Sequence, residues 1–236
     1  MLWKRAAILG ANLRSGYDWQ IYRDLCEAQR QVGVHQAVEQ PFVSVAGPNY
    51  GANLQRVLYV GKSTWASEAA GKATGSREEF ERSLAWSSYW LGRQATPSTA
   101  FWLFGAELVR AIRPTVNDAP TSYLAWSNLA KVAQVGAGAP DSDIAKAMHR
   151  AECAALTAEL KELEPELVVL VTSDAVWNVA TEVFGRRDEM NFCFDDGTWV
   201  RPDPRGFKLY WTRHPQGASL EWRAEHANRI ATLLSA

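Results

Sequence analysis

Residues 57–65 read VLYVGKSTW, an apolar run that gives way at once to glycine, lysine and serine. Residues 211–217, WTRHPQG, have a similar pattern near the other end of the chain. A short apolar run that stops at small or polar residues is typical of a buried strand that delivers a loop to the edge of a sheet. In open α/β sheets, loops at strand ends form the ligand crevice. We therefore predict that these two loops are walls of one site.

Outward from residues 57–65, predicted strands and helices alternate along the chain. Repeated strand–helix units favour a parallel sheet with helices on both of its faces. The predicted fold class is therefore α/β: a three-layer α/β/α sandwich around a short, mostly parallel four-stranded sheet. The predicted strands are 57–60, 123–127, 167–171 and 207–212, with a hairpin over 191–200; the predicted helices are 76–90, 98–112, 143–163, 174–184 and 220–234.

The first fifty residues have a different pattern. Apolar residues recur at helical spacing over 17–32, and Gly33 ends this predicted helix. A passage rich in proline and glycine follows over 41–51 and is typical of a linker. We predict a helical N-terminal extension and linker over 1–50, followed by one α/β domain over 51–236.

Composition excludes several classes of protein. Lysine and arginine number 25 and aspartate and glutamate 26, which argues against non-specific coating of DNA and leaves room for a local basic groove. The three cysteines lack CxxC spacing and the four histidines lack ligand spacing, so we expect no metal and no cofactor. No apolar run approaches the roughly 20 residues that span a bilayer. We expect a cytoplasmic monomer that does not contact membranes.

Four strand-end segments, 57–65, 123–131, 167–175 and 210–217, occur in an order that resembles the uracil-DNA glycosylase superfamily. In that superfamily a first strand ends in a Gly-x-(Asp/Asn)-Pro loop and a second carries an asparagine that reads the pyrimidine. A third follows a proline turn, and a fourth ends in His-Pro-Ser. Here the second is AWSNLAK, the third follows Glu-Pro, and the fourth ends in RHPQ. The resemblance covers about residues 55–233, and the cysteine content excludes the iron–sulfur branch.

The resemblance implies a DNA glycosylase that flips its target base out of the helix. His214 is then the donor that stabilises negative charge on the departing base, and Asn128 reads the base edge by paired hydrogen bonds. Trp65 and Phe101 are candidates for lining the base pocket. The implied DNA contacts come from Lys62, Lys131, Arg213 and Gln216.

The first loop departs from the superfamily pattern. Ser63 stands where an aspartate or asparagine is common, and Thr64 stands in place of the proline. Serine cannot act as a carboxylate base, so the water is positioned by Ser63, by Asp118 or by Glu68, or the reaction depends on leaving-group stabilisation. A modified pyrimidine, either uracil-like or a 5-substituted or glucosylated cytosine, is therefore the expected substrate. Phage defence would suit such a substrate.

Two other classes remain open. The absent carboxylate is compatible with a DNA-binding module that recognises a flipped or damaged base without turnover. Residues 61–63, GKS, also resemble the end of a phosphate-binding P-loop, which would indicate a nucleotide phosphotransferase. That motif requires a glycine five residues before Gly61, and Arg56 occupies the position.

Overall fold

The computed structural model describes residues 14–31, 40–52, 55–63, 73–93, 99–116, 119–134, 141–172, 177–186, 192–193 and 197–235. These residues form a mixed α/β fold, as the sequence predicts. Trp65, Asp118 and Glu68 lie outside the described residues.

A seven-stranded sheet runs through the described part of the chain. Its strands are β1 Val45–Ala46, β2 Val57–Gly61, β3 Leu124–Asn128, β4 Leu167–Val171, β5 Phe192–Cys193, β6 Trp199–Pro202 and β7 Lys208–Thr212. The order across the sheet is β1-β3-β2-β4-β7-β6-β5. The central strands β3, β2, β4 and β7 are parallel, and β1, β6 and β5 pair antiparallel. The predicted count of four strands is therefore too low, because short antiparallel strands extend the parallel part at both edges.

Helices pack against both faces of the parallel strands. Leu58 and Val60 of β2 join one apolar cluster with the helices over 142–163 and 177–184, whereas Val57 and Tyr59 join another with those over 100–112 and 220–235. This division follows from the alternation of side chains along a strand. The described helices are α1 Trp19–Gln31, α2 Arg77–Arg93, α3 Ala100–Ile112, α4 Ser142–Leu163, α5 Trp177–Phe184 and α6 Leu220–Ser235, with a 3-10 helix at Pro120–Tyr123.

The described part of the N-terminal segment packs against the rest of the chain. Tyr22 and Leu25 of α1 share an apolar cluster with Ile144 and Met148 of α4. Strand β1 pairs with β3 at the edge of the sheet. Residues that the sequence assigns to an extension and linker therefore contribute both to the sheet and to a hydrophobic core.

The parallel register brings the carboxyl ends of the central strands to one edge of the sheet. Gly61, the last residue of β2, lies opposite Asn128, the last residue of β3. Val171 of β4 lies opposite Thr212 of β7. The loops that begin at Lys62 and at Arg213 therefore leave the sheet from the same edge.

Candidate active site

Two of the predicted site residues, Asn128 and Phe101, meet at Gly61 at this edge, and a third, His214, packs against Phe101. A Cβ atom on Gly61 would lie 2.5 Å from Oδ1 of Asn128 and 2.9 Å from Cε2 of Phe101. The ring of Phe101 in turn stacks on that of His214, with centroids 6.1 Å apart and planes 17° apart. Residues that are up to 153 positions apart in the chain thus form one packed cluster, and glycine is the only residue that leaves room for the contact at position 61.

Asn128 presents an unsatisfied donor at the site. Its side chain is 2 % exposed, and its Nδ2 atom has no hydrogen-bond partner among the residues that the structure describes. A buried polar group without a partner costs roughly 1–3 kcal/mol. The role of Asn128 in reading a base stays a prediction.

His214 has a defined proton arrangement. The backbone N–H of Gln216 donates a hydrogen bond to Nδ1 of His214 at 3.1 Å. Since Nδ1 accepts, the neutral ring carries its proton on Nε2. Burial, and then the positive charge of Lys62, lower the pKa of His214 below its ordinary value. Burial and the charge of Lys62 thus both favour the neutral imidazole, whose donor is the Nε2–H group.

Phe101 is fixed by the start of helix α3. The hydroxyl of Thr99 caps this helix by accepting from the backbone N–H of Trp102 at 3.5 Å. The hydroxyl of Tyr59 donates to the carbonyl of Phe101 at 2.8 Å, and the two rings pack with centroids 4.5 Å apart. The half-buried Phe101 ring thereby stands as a flat wall between Gly61 and His214.

Lys62, Arg213 and Gln216 lie at the surface beside this wall. Lys62 is half-buried, and Arg213 and Gln216 are exposed. The guanidinium of Arg213 lies 4.8 Å from the ring centroid of Trp222, an arrangement that orients the cation. Their contact with DNA stays a prediction.

Lys131 does not lie at this surface, which corrects the sequence interpretation. Its side chain has no solvent exposure, and its ammonium group is 2.6 Å from Oε1 of Glu159. It also donates to the hydroxyl of Ser127 at 2.7 Å. A lysine enclosed in this way cannot reach a backbone phosphate, so we withdraw its assignment to DNA contact.

Of the three residues that are candidates for positioning the water, only Ser63 lies among the described residues. Ser63 is half-buried and follows β2 directly. Asp118 and Glu68 lie outside the described residues. The described residues contain no group of three or more His, Cys, Asp and Glu side chains arranged to hold a metal ion.

A groove of about 510 Å³ lies at the opposite, amino edge of the sheet. Arg56, Lys161, Arg205 and Phe207 are among the residues that line it. Arg205 is already paired with Asp203 at 2.7 Å. The groove is separate from the cluster around Gly61. Because Asn128 and His214 lie at the carboxyl edge, that edge is the candidate site.

Sequence reasoning missed two carboxylates that lie behind the site, Glu152 and Glu159 of α4. Both are fully buried. They occupy core positions in a helix stripe that also includes Met148, Ala155 and Leu163. Two carboxylates seven residues apart within an apolar stripe are the signal that could have found them, because such a spacing places both on one helix face.

Neither the family models nor the curated proteins with which the chain was compared give a match. The superfamily relationship therefore stays a proposal, and the function is argued from the geometry of the site. Within the described ranges, no helix has the length and apolar character needed to cross a membrane.

Proposed function

We propose that the protein is a DNA glycosylase of the uracil-DNA glycosylase superfamily that hydrolyses the N-glycosidic bond of a flipped, modified pyrimidine. The three-layer α/β/α sandwich that the alternation of strands and helices predicts is part of this proposal. The observation that carries it is the cluster at the carboxyl edge of the parallel strands, in which Asn128 and Phe101 meet at Gly61 and His214 stacks on Phe101.

His214 has the form that the chemistry needs. Cleavage of an N-glycosidic bond leaves negative charge on the base and positive charge on the sugar. The Nε2–H group of a neutral imidazole can donate to the base oxygen as this charge develops. A preorganised donor of this kind contributes about 3 kcal/mol to the stabilisation of a transition state. The bond from the Gln216 amide keeps the ring in the required tautomer.

Asn128 and Phe101 are suited to holding the base. The free Nδ2 donor of Asn128 can bond to a base acceptor, and the flat Phe101 ring can stack on the base. The absence of a side chain at Gly61 allows the two to approach each other. These contacts offset the few kcal/mol that base flipping requires.

Binding to DNA would depend on a small number of local contacts. The chain carries a net charge of −1, so it has no general basic field. Lys62 and Arg213 flank the candidate pocket, and the exposed Gln216 lies beside them. We propose that these residues contact phosphates next to the flipped nucleotide.

The nature of the first loop favours a modified base. Ser63 can orient a water molecule by hydrogen bonding, but it cannot remove a proton as a carboxylate does. Leaving-group stabilisation by His214 then carries more of the reaction. A pyrimidine whose substituents stabilise the departing anion suits a reaction that depends on leaving-group stabilisation. A defence role against phage DNA with modified cytosine is compatible with this substrate class.

An excision assay on a panel of DNAs tests the proposal. The panel holds uracil, thymine mismatches, 5-hydroxymethylcytosine, glucosylated cytosine and unmodified controls, each treated with alkali to cleave abasic sites. We expect strand cleavage at one modified base with the wild-type protein and its loss in His214→Ala. His149→Ala, a half-buried histidine on α4, is the matched control and should retain activity.

A second function is favoured by Ser63, which replaces the usual first-loop carboxylate. In this alternative, the protein recognises a flipped or damaged base and does not cleave it. Tight binding to a duplex with an abasic site, with no strand cleavage on any member of the panel, would support this alternative over the glycosylase.

A further inference from the structure

Three buried polar side chains bond to one another on the face of β3 opposite to Asn128. The hydroxyl of Ser127 donates to Oε2 of Glu159 at 2.6 Å, and Nζ of Lys131 donates to Oε1 of the same carboxylate at 2.6 Å. Lys131 also donates to Ser127 Oγ at 2.7 Å. All three side chains have no solvent exposure. Because each member contacts both others, this buried ring constrains the position of all three.

The backbone that follows β3 is held on two sides. The amides of Leu129 and Ala130 donate to the carbonyl oxygens of residues 61–62 at 3.0 and 2.9 Å. The amide of Lys131 donates to Oε1 of Glu152 at 2.7 Å. The segment that begins at the end of β3 is thus attached to the end of β2 on one side and to helix α4 on the other.

The N-terminal segment covers the buried ring. The backbone N–H of Phe42 donates to the carbonyl of Lys131 at 2.6 Å, and the Tyr17 hydroxyl donates to the carbonyl of Phe42. The ring of Tyr17 has its centroid 6.0 Å from Nζ of Lys131. Gly16 lies so close to Glu159 that a Cβ there would be 2.9 Å from the Cγ of Glu159. Gly16, Tyr17 and Phe42 therefore help to exclude water from the ion pair.

Stability alone does not account for this arrangement. Burial of two charges costs several kcal/mol per ion, and well-packed apolar residues of similar volume are often at least as stabilising. The buried ring instead fixes the direction in which side chains at the end of β3 point. Successive side chains of a strand point to opposite faces, so a fixed Ser127 on one face fixes the orientation of Asn128 on the other.

We propose that Ser127, Lys131 and Glu159 are positioning residues that hold Asn128 in the orientation needed to read the base, and that the N-terminal segment completes this device. The inference rests on the proposed function, in which Asn128 contacts the substrate. Lys131 does not contact DNA. It affects the orientation of Asn128 through its hydrogen bonds to Ser127 and Glu159.

Ser127→Ala is the first test, because it leaves the Lys131–Glu159 pair intact and removes only its link to β3. We expect the single-turnover excision rate at saturating DNA to fall about tenfold, since small displacements of a substrate-binding group have effects of this size or larger. The dissociation constant for an abasic-site duplex should stay unchanged. The matched control is Ser87→Ala, which deletes a buried hydroxyl that has no partner within the described ranges and should leave the rate unchanged.

The double variant Lys131→Met/Glu159→Gln is the second test. Neutralising both partners avoids an unpaired buried charge, so this variant is expected to fold. Excision should slow as in Ser127→Ala although the melting temperature stays close to that of the wild type. Wild-type rates in both folded variants would overturn the proposal.

Failure of the proposed function is distinguishable from failure of the positioning device. If the wild-type protein releases no base from any DNA, the glycosylase proposal fails, and the device is judged by amide hydrogen exchange over residues 128–132. Faster exchange in Ser127→Ala than in Ser87→Ala then supports the device. Equal exchange in the two variants rejects it.

Discussion

The backbone N–H of Gln216 donates to Nδ1 of His214, two residues earlier in the same loop, at 3.1 Å. Because Nδ1 accepts this bond, the proton of the neutral ring lies on Nε2, and Nε2–H is the donor. Pro215 lies between the two residues and restricts the backbone that makes this contact. The loop therefore presets both the tautomer and the orientation of its histidine.

Replacement of His214 by alanine should lower excision by about 10²-fold, the usual effect of removing one donor to a developing anion. Binding to DNA should change little, because this donor acts mainly in the transition state. Single-turnover rates and dissociation constants measured on the same duplex check both parts. His149→Ala controls for loss of an imidazole elsewhere, and a His214→Ala variant with wild-type turnover would remove His214 from the mechanism.

Replacement of Lys62 by methionine should raise the pKa of His214. Burial lowers this pKa first, and the positive charge of Lys62 adds to the effect by disfavouring a second cation nearby. Without that charge, the imidazole gains its proton at a higher pH. Titration of the labelled His214 ring by NMR measures the shift, and Lys146→Met on the exposed surface of α4 is the control. Superimposable titration curves for the two variants would contradict the stated cause.

Replacement of Gly61 by alanine should reduce excision strongly and cost about 1–3 kcal/mol of stability. The new methyl group would lie 2.5 Å from Oδ1 of Asn128 and 2.9 Å from Phe101, so one of the two must move. Denaturant unfolding and single-turnover excision test this result. Gly105→Ala is the comparison, because its Cβ would meet the nearest side chains at 3.3 Å. Equal losses in the two variants would show that close packing at Gly61 has no special role.

Much of the fold could be predicted because its elements are long or strongly apolar. The central strands and the helix predicted over 143–163 are confirmed to within two residues at each end. Strand β1 was missed because its two residues lie in a passage rich in proline and glycine, where local sequence carries little strand signal. Its partner β3 supplies the pairing, and that partner is about 80 residues away in the chain.

The placement of His214 and Asn128 at strand ends could be predicted, because each follows a short apolar run, whereas their roles stay predictions. The placement of Lys131 was not predictable, because lysine near a strand end normally faces solvent. Only the packing of α4 beneath β3 brings Glu159 within 2.6 Å of its ammonium group. Local spacing along the chain indicates which residues share a face of one helix or strand, but not which elements contact each other. The Lys131–Glu159 pair can therefore be seen only in the folded chain.

Replacement of Glu152 by glutamine should make stability less dependent on pH. Burial raises the pKa of Glu152 to about 7, against an ordinary value of 4.5, although hydrogen bonds from the backbone of Lys131 and the charge of that residue act in the opposite direction. Between these two pH values the folded protein binds a proton that the unfolded chain has released. The free energy of unfolding of the wild type therefore falls as pH rises through this window, by on the order of 3 kcal/mol.

The glutamine variant keeps an oxygen that can accept from the Lys131 amide and cannot ionise, so its stability relative to the wild type should be greater at pH 8 than at pH 5. Urea unfolding at the two pH values measures this difference. Glu78→Gln, which alters an exposed glutamate of α2, is the control and should give the same difference from wild type at both. If the stability curve of Glu152→Gln ran parallel to that of the wild type, the carboxylate would have to be ionised in the folded protein throughout this range, with its charge compensated by the neighbouring Lys131.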